Sequence, residues 1–277
     1  VPLLTPATIT ELVERHGLRP SRALGQNFLA DPNTARRIVR LAEVEPGDRV
    51  VEIGPGIGSL TVALADAGAS VTALELDRHV LPALAEVVAD LPDVRVVQGD
   101  AMTEDLGSLL PDQPDGWKLV ANLPYNVATP IVARFLEDAP MVRSLLFMVQ
   151  REVGERLVAA SGGRDYGAIS VKVAYYGRAK LVGKVAPTVF LPPPKVESAL
   201  VRIVRHDTPP VDVPSPAALF GLVRAGFGQR RKMLRRALQT QLGDRTLAVL
   251  EAAGVDPKAR AEVLDLDAWA AITRAAA

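Results

Sequence analysis

The chain has 277 residues, 32 basic and 32 acidic side chains, 48% apolar residues and no cysteine. That length holds one large α/β domain and a small appendage, and the lack of cysteine excludes disulfides, thiolate catalysis and thiolate zinc sites. Three scattered histidines, His16, His79 and His206, are a poor basis for a metal site. With no window near 18 uninterrupted apolar residues and no basic-then-apolar start, a soluble cytoplasmic protein is expected.

In chain order, a helical pattern over 10–16 is closed by Gly17 and Pro20. The stretch 23–31 has no clear period. Its adjacent amides, Gln26 and Asn27, sit before Phe28 and Leu29 like ligand-facing donors, although a surface loop is the plainer reading. Pro32 opens an amphipathic helix through Leu41. From 48 to about 150 strands alternate with helices, the strands covering 49–53, 70–74, 94–97, 118–121 and 143–150. Such alternation with short loops predicts right-handed crossovers and a doubly wound parallel sheet. Two further runs, 178–189 and 198–204, flank Phe190-Leu-Pro-Pro-Pro194 and, lacking a helix between them, must pair antiparallel. Seven strands result. Beyond His206 a Pro-rich linker leads into helical patterns over 217–226, 229–242, 245–253 and 267–275. The expected division is therefore 1–207, with 1–45 as a helical cap, and a small helical domain over 208–277.

Arg49 to Leu60, RVVEIGPGIGSL, organises the whole. It reads as strand, tight glycine turn, helix. The alternating glycines let a ligand lie on the main chain at a helix N-terminus, and G-x-G-x-G is one residue short of the dinucleotide fingerprint. A nucleoside without a pyrophosphate suits that tighter turn. Glu75 closes the next strand, where a carboxylate can accept from ribose hydroxyls, and Asp100 closes the third, where one can accept from an exocyclic amine. Glu52, Glu75 and Asp100 line the carboxyl edge of the sheet, the ligand side of open α/β sheets. Any one of them alone reads as a solvated loop carboxylate.

Asn122-Leu123-Pro124-Tyr125 ends the fourth strand. An aromatic exocyclic amine is a poor nucleophile because its lone pair is delocalised into the ring. The Asn122 oxygen and a main-chain carbonyl stiffened by Pro124 can accept its hydrogens and free that lone pair for a methyl donor, while Tyr125 stacks on the base. Phe190, before three prolines, is a candidate for the other side of the base, with core packing equally open to it. Between 214 and 242 no acid occurs, yet Arg224, Arg230, Arg231, Lys232, Arg235 and Arg236 do. That is either an RNA-binding surface or a solvated face.

Together these residues resemble the small-subunit ribosomal RNA adenine dimethyltransferases. The match runs through Leu24 to Leu29, Glu52 to Gly58, Glu75-Leu76-Asp77, Gly99-Asp100-Ala101, Asn122 to Tyr125, Phe190 to Ser198 and Phe227 to Leu234. The resemblance implies a Rossmann-like class I methyltransferase fold with a helical tail. It also implies S-adenosylmethionine as cofactor and dimethylation of N6 on two adjacent adenosines in the 3′-terminal hairpin loop of 16S rRNA, in a 30S subunit or its precursor. Carried over, Gln26, Asn27, Leu29, Glu52, Gly54, Gly56, Glu75, Leu76, Asp100, Ala101 and Asn122 surround the cofactor. Asn122, Leu123, Pro124, Tyr125 and Phe190 handle the base; no metal is implied and a monomer is expected. Three alternatives stay open: a DNA N6-adenine methyltransferase, which usually has Pro where Leu123 stands, a macrolide-resistance 23S rRNA dimethyltransferase, and a protein that is mainly a ribosome-assembly factor.

Overall fold

The computed structural model describes residues 2–19 and 27–277. Gln26, and with it the expectation of a donor there, lies outside the described residues. Contacts divide the chain into two units, Val1–Gly154 with Lys180–Arg205, and Glu155–Ala179 with His206–Ala277.

Among the described residues nine strands form, β1 Phe28–Leu29, β2 Arg49–Ile53, β3 Ser70–Glu75, β4 Val94–Gln98, β5 Trp117–Asn122, β6 Val142–Gln150, β7 Gly177–Val185, β8 Phe190–Leu191 and β9 Ser198–Arg205, all in the first unit except the start of β7. Seven form one sheet in the order β4-β3-β2-β5-β6-β9-β7. β2, β3, β5 and β6 are buried almost throughout, as central parallel strands covered on both faces must be. The edge strands β4 and β7 are the least buried, with exposed positions spread along their length. β9 runs antiparallel to β6, with Gln150 opposite Ser198. After β2 the chain builds outward through β3 to β4, then returns to place β5 on β2's other flank. The crevice above β2 and β5 is therefore the topological switch point, where such sheets bind ligands.

Local chemistry sets the helix starts. Asp31 accepts from the N–H groups of Asn33 and Thr34 and is followed by Pro32, fixing the start of the Pro32–Leu41 helix. Its apolar side joins Leu64, Val71, Leu146 and Leu200 in one core. At its far end the Ala128–Asp138 helix is closed by the Arg205 guanidinium, which donates to the carbonyls of Phe135, Leu136 and Ala139. A cation on the orphan carbonyls of a helix C-terminus is favourable for both hydrogen bonding and the macrodipole.

Several features depart from the sequence reading, the first of them in the sheet. β1 and β8 pair as a small two-stranded antiparallel sheet, Leu29 opposite Phe190, and β7 ends at Val185, with Pro187–Val189 a 3₁₀ turn. The second departure is the unit boundary, which does not fall at 207. The segment Glu155–Ala179 belongs with the tail because Val171 and Tyr175 of the Ala168–Tyr176 helix join the core of Leu219, Phe220 and Trp269. That core is rich in edge-on aromatic pairs, including Tyr175 with Phe220 and Tyr166 with Phe227, and the buried Tyr166 hydroxyl donates to the Leu264 carbonyl at 2.8 Å. The expected helix over 229–242 is in fact a turn followed by two short helices, Leu234–Ala237 and Gln239–Leu242.

Candidate active site

The loop after β2 takes left-handed backbone at Gly54 (φ 69°) and Gly56 (φ 58°), a conformation that L side chains rarely adopt. A Cβ at Gly54 would lie 3.4 Å from the Pro124 ring, and one at Gly56 only 3.0 Å from Phe28. These two glycines therefore hold open a cradle bounded by the tetrapeptide after β5 and the β1 strand. Glu75, the last residue of β3, braces it. Its Oε2 accepts from the Gly56 N–H and its Oε1 from the Asp77 N–H, both at 2.9 Å. Burial pushes the Glu75 carboxyl up while these two N–H groups pull it back. Each carboxylate oxygen keeps a second lone pair for a hydroxyl donor.

Glu52 is fully buried one residue before the end of β2 and accepts from the Thr61 hydroxyl at 2.6 Å. Desolvation, with the Glu75 charge adding to it and the Thr61 bond opposing it, raises its pKa to about 8. It therefore stays largely protonated at neutral pH and is no solvated loop carboxylate.

At the tip of β5 the Asn122 Nδ2 donates to the Asn27 carbonyl at 3.2 Å. That bond fixes the amide orientation and turns Oδ1 inward, buried and without a hydrogen-bond partner among the described residues. An unmatched buried acceptor normally costs about 1–3 kcal/mol, so its persistence marks a place prepared for a donor. The Pro124 carbonyl accepts from the Val127 N–H at 3.2 Å, closing the turn that carries Tyr125.

These groups line one cleft that opens to solvent. Of the residues expected there, Asn27, Leu29, Glu52, Gly54 and Gly56 are on its wall, with Glu75, Leu76, Asn122 and Pro124. Phe28, Ser59, Asp77, Asn126 and Val127 also line it. Phe28 and Asp77 lay inside the quoted motifs, but no spacing separates wall positions from core positions there.

Five expected residues are not on that wall, Tyr125 among them, its hydroxyl bonded to that of Ser198. Asp100 lies two residues past β4 in a turn, its Oδ1 accepting from the Met102 N–H at 2.8 Å, and it is not on the cavity wall, nor is Ala101. The Ala101 carbonyl instead accepts from Arg134. Leu123 is buried and continues the ladder to the Met148 carbonyl at 3.1 Å. Phe190, read as half of an aromatic clamp, is 3% exposed and packs in the core with Leu29 and Val185, because the β1–β8 pairing turns it inward. Among the described residues no three His, Cys, Asp or Glu side chains gather to hold a metal ion, and no helix is long and apolar enough to cross a membrane.

In the second unit all six cations of the acid-free stretch are exposed. Arg230 is the exception in its bonding, tied to the Glu262 carboxylate at 3.0 Å and to the Arg164 carbonyl at 2.8 Å.

The residues present fit a nucleoside with a tail: backbone cradle at Gly54 and Gly56, buried carboxylate at Glu75, orphan acceptor at Asn122. Comparison with known proteins agrees. A family model described as ribosomal RNA adenine dimethylase matches residues 18–277. The proteins named ribosomal RNA small subunit methyltransferase A from Leifsonia xyli and Thermobifida fusca are 48% and 47% identical, covering 95% and 98% of this chain and 95% of each relative. Among solved structures, the 23S rRNA methyltransferase ErmE aligns with a TM-score of 0.67 at 27% identity, over 90% of this chain and 99% of that one. A dimethyladenosine transferase from Plasmodium falciparum shares the fold with a TM-score of 0.73 at 23% identity, over 88% and 95%. The seven-stranded, mostly parallel sheet is that of a class I methyltransferase, and the chain belongs to the ribosomal RNA adenine dimethylase family.

Proposed function

We propose that this enzyme dimethylates N6 of two adjacent adenosines in the 3′-terminal hairpin loop of 16S rRNA, as a cytoplasmic monomer acting on the 30S subunit or its precursor. The observation that carries the reading is the buried, unpartnered Oδ1 of Asn122 on the wall of the glycine cradle. S-Adenosylmethionine, when bound, supplies an electrophilic methyl group. Gly54 and Gly56 keep the floor of its site free of side chains, and Glu75 offers two lone pairs to ribose hydroxyls while holding the loop in place. Asn122 Oδ1 accepts an N–H of the exocyclic amine, which draws the nitrogen lone pair out of the ring and aims it across the cradle. Positioning and a preorganised dipole do this work without a general base, and the proton that the amine sheds on methylation passes to water through the open side of the cleft. The exposed cations of the second unit suit the phosphate backbone of the RNA, and loop adenines enter such a pocket with little unstacking.

The small-subunit target is preferred because the relatives named for it are 47–48% identical, against 27% for ErmE. Incubation with labelled donor and unmodified 30S or 50S subunits, followed by mapping of the label, tests both. Label on two neighbouring adenosines of the 16S 3′ hairpin is expected; label confined to 23S rRNA supports the second reading, and none on either RNA overturns both.

A further inference from the structure

The hydroxyls of Ser198 and Tyr125 share a hydrogen bond of 2.5 Å, and neither residue lines the donor cavity. Ser198 is the first residue of β9 and is fully buried. Its backbone is fixed by pairing opposite Gln150. The preceding Glu197 is fixed as well: its carbonyl accepts from the Arg151 N–H at 3.0 Å and its carboxylate pairs with the Arg151 guanidinium at 3.1 Å. A serine hydroxyl on such a backbone has one torsion left and is nearly a fixed point.

Strand order explains why the bond matters. β6 lies between β5, which ends in Asn122, and β9, so at about 4.8 Å per strand roughly 10 Å of sheet edge separates the two ends. Tyr125, three residues beyond Asn122, crosses the end of β6 to reach Ser198. Its ring therefore extends from Asn122 away from the glycine cradle, which sits over β2. Burial raises the phenol pKa, so the hydroxyl stays protonated. Held at its Cβ and at its hydroxyl, the ring's long axis keeps one direction instead of the several that free rotamers allow, leaving only rotation about that axis.

We propose that Ser198 is a positioning residue for methyl transfer: by anchoring the Tyr125 hydroxyl it fixes the place of the ring on which the target adenine stacks, beside Asn122 and opposite the donor cradle. This rests on adenine being the base that Asn122 receives. Two successive transfers to one nitrogen need the base presented in the same plane twice, so the second transfer depends on the anchor more than the first.

Ser198→Ala removes the anchor, and Tyr125→Phe removes it from the other side while keeping the ring. Each is expected to lower kcat about tenfold, to leave donor affinity by calorimetry unchanged, and to raise the share of singly methylated product. The double variant should lose no more than either single one. Independently of turnover, the proton of the shared bond should give a slowly exchanging downfield NMR resonance that disappears in both variants. Full kcat in Ser198→Ala, or additive losses, overturns the positioning role, and a resonance that survives both substitutions overturns the bond. If the unaltered enzyme labels no adenine, the adenine reading itself fails and the role falls with it. A normal parent enzyme with a full-rate Ser198→Ala variant rejects the role alone.

Discussion

The two units place their charged and polar groups differently. In the first, the carboxyl edge of the sheet buries two carboxyl groups, Glu52 and Glu75, with Ser59, Thr61 and Ser198, and Asn122 Oδ1 has no partner among the described residues. In the second, the interior is mainly aromatic and aliphatic; its buried polar groups are the hydroxyls of Ser170, Thr246 and Thr273 and the unmatched Trp269 Nε1, none of them charged. Buried polar groups are destabilising unless each finds a partner. Their gathering at one sheet edge marks where chemistry is done, whereas surface cations stay in water and add attraction without geometry. Changes at the sheet edge should therefore alter turnover, donor binding and pH dependence, and changes in the second unit should alter RNA affinity and its salt dependence.

The sharpest test of that contrast is Asn122→Ala, expected to lower kcat by about 10²-fold or more with donor affinity nearly intact. Single-turnover methylation at the parental rate would remove Asn122 from the mechanism.

Next in size is Glu52→Gln, which keeps shape and the Thr61 bond but removes the titration. Below the ordinary value of 4.5 both folded and unfolded chains hold the Glu52 proton. As pH rises toward about 8 the unfolded chain releases it while the folded chain retains it, so stability falls across that window. The variant should match the parent at pH 4 and exceed it by about 4 kcal/mol at pH 8, read from denaturant unfolding. A difference that does not change with pH would show that Glu52 ionises freely.

Glu75→Ala releases the Gly56 and Asp77 N–H groups as well as the ribose acceptor. Donor affinity should drop, and stability should fall by about 1–3 kcal/mol, both measurable by calorimetry; unchanged binding would separate the brace from the ligand.

In the second unit, neutralising Arg231, Lys232 and Arg235 should weaken RNA binding and flatten its salt dependence by nearly one unit of slope for each phosphate left without its cation. Arg230→Gln sharpens the point with the smallest effect. Tied to Glu262 and the Arg164 carbonyl, Arg230 should contribute under about 1 kcal/mol to stability and little to the salt slope. A slope change as large as that of Arg231 would mean its ion pair opens on binding.

Much of the first unit is legible locally. Val50, Val51 and Ile53 ahead of alternating glycines can only be a buried strand entering a tight turn, and Pro32 behind Asp31 announces a helix. The second unit is less so, because Gln229 to Leu242 has helical composition throughout. Yet Leu234 and Arg235 donate their N–H groups to the carbonyls of Ala259 and Pro257, which breaks the helix into pieces.

The sequence by itself determined the order of strands and helices, the glycine bend and the tetrapeptide after β5, since period and turn chemistry act over a few residues. Only the tertiary structure decided which way side chains face. It turned Phe190 into the core against Leu29, joined Glu155–Ala179 to the tail, and tied the Asn122 amide to the Asn27 carbonyl so that Oδ1 has no donor among the described residues. Each of those outcomes depends on a partner far away in the chain, and no local pattern encodes that meeting.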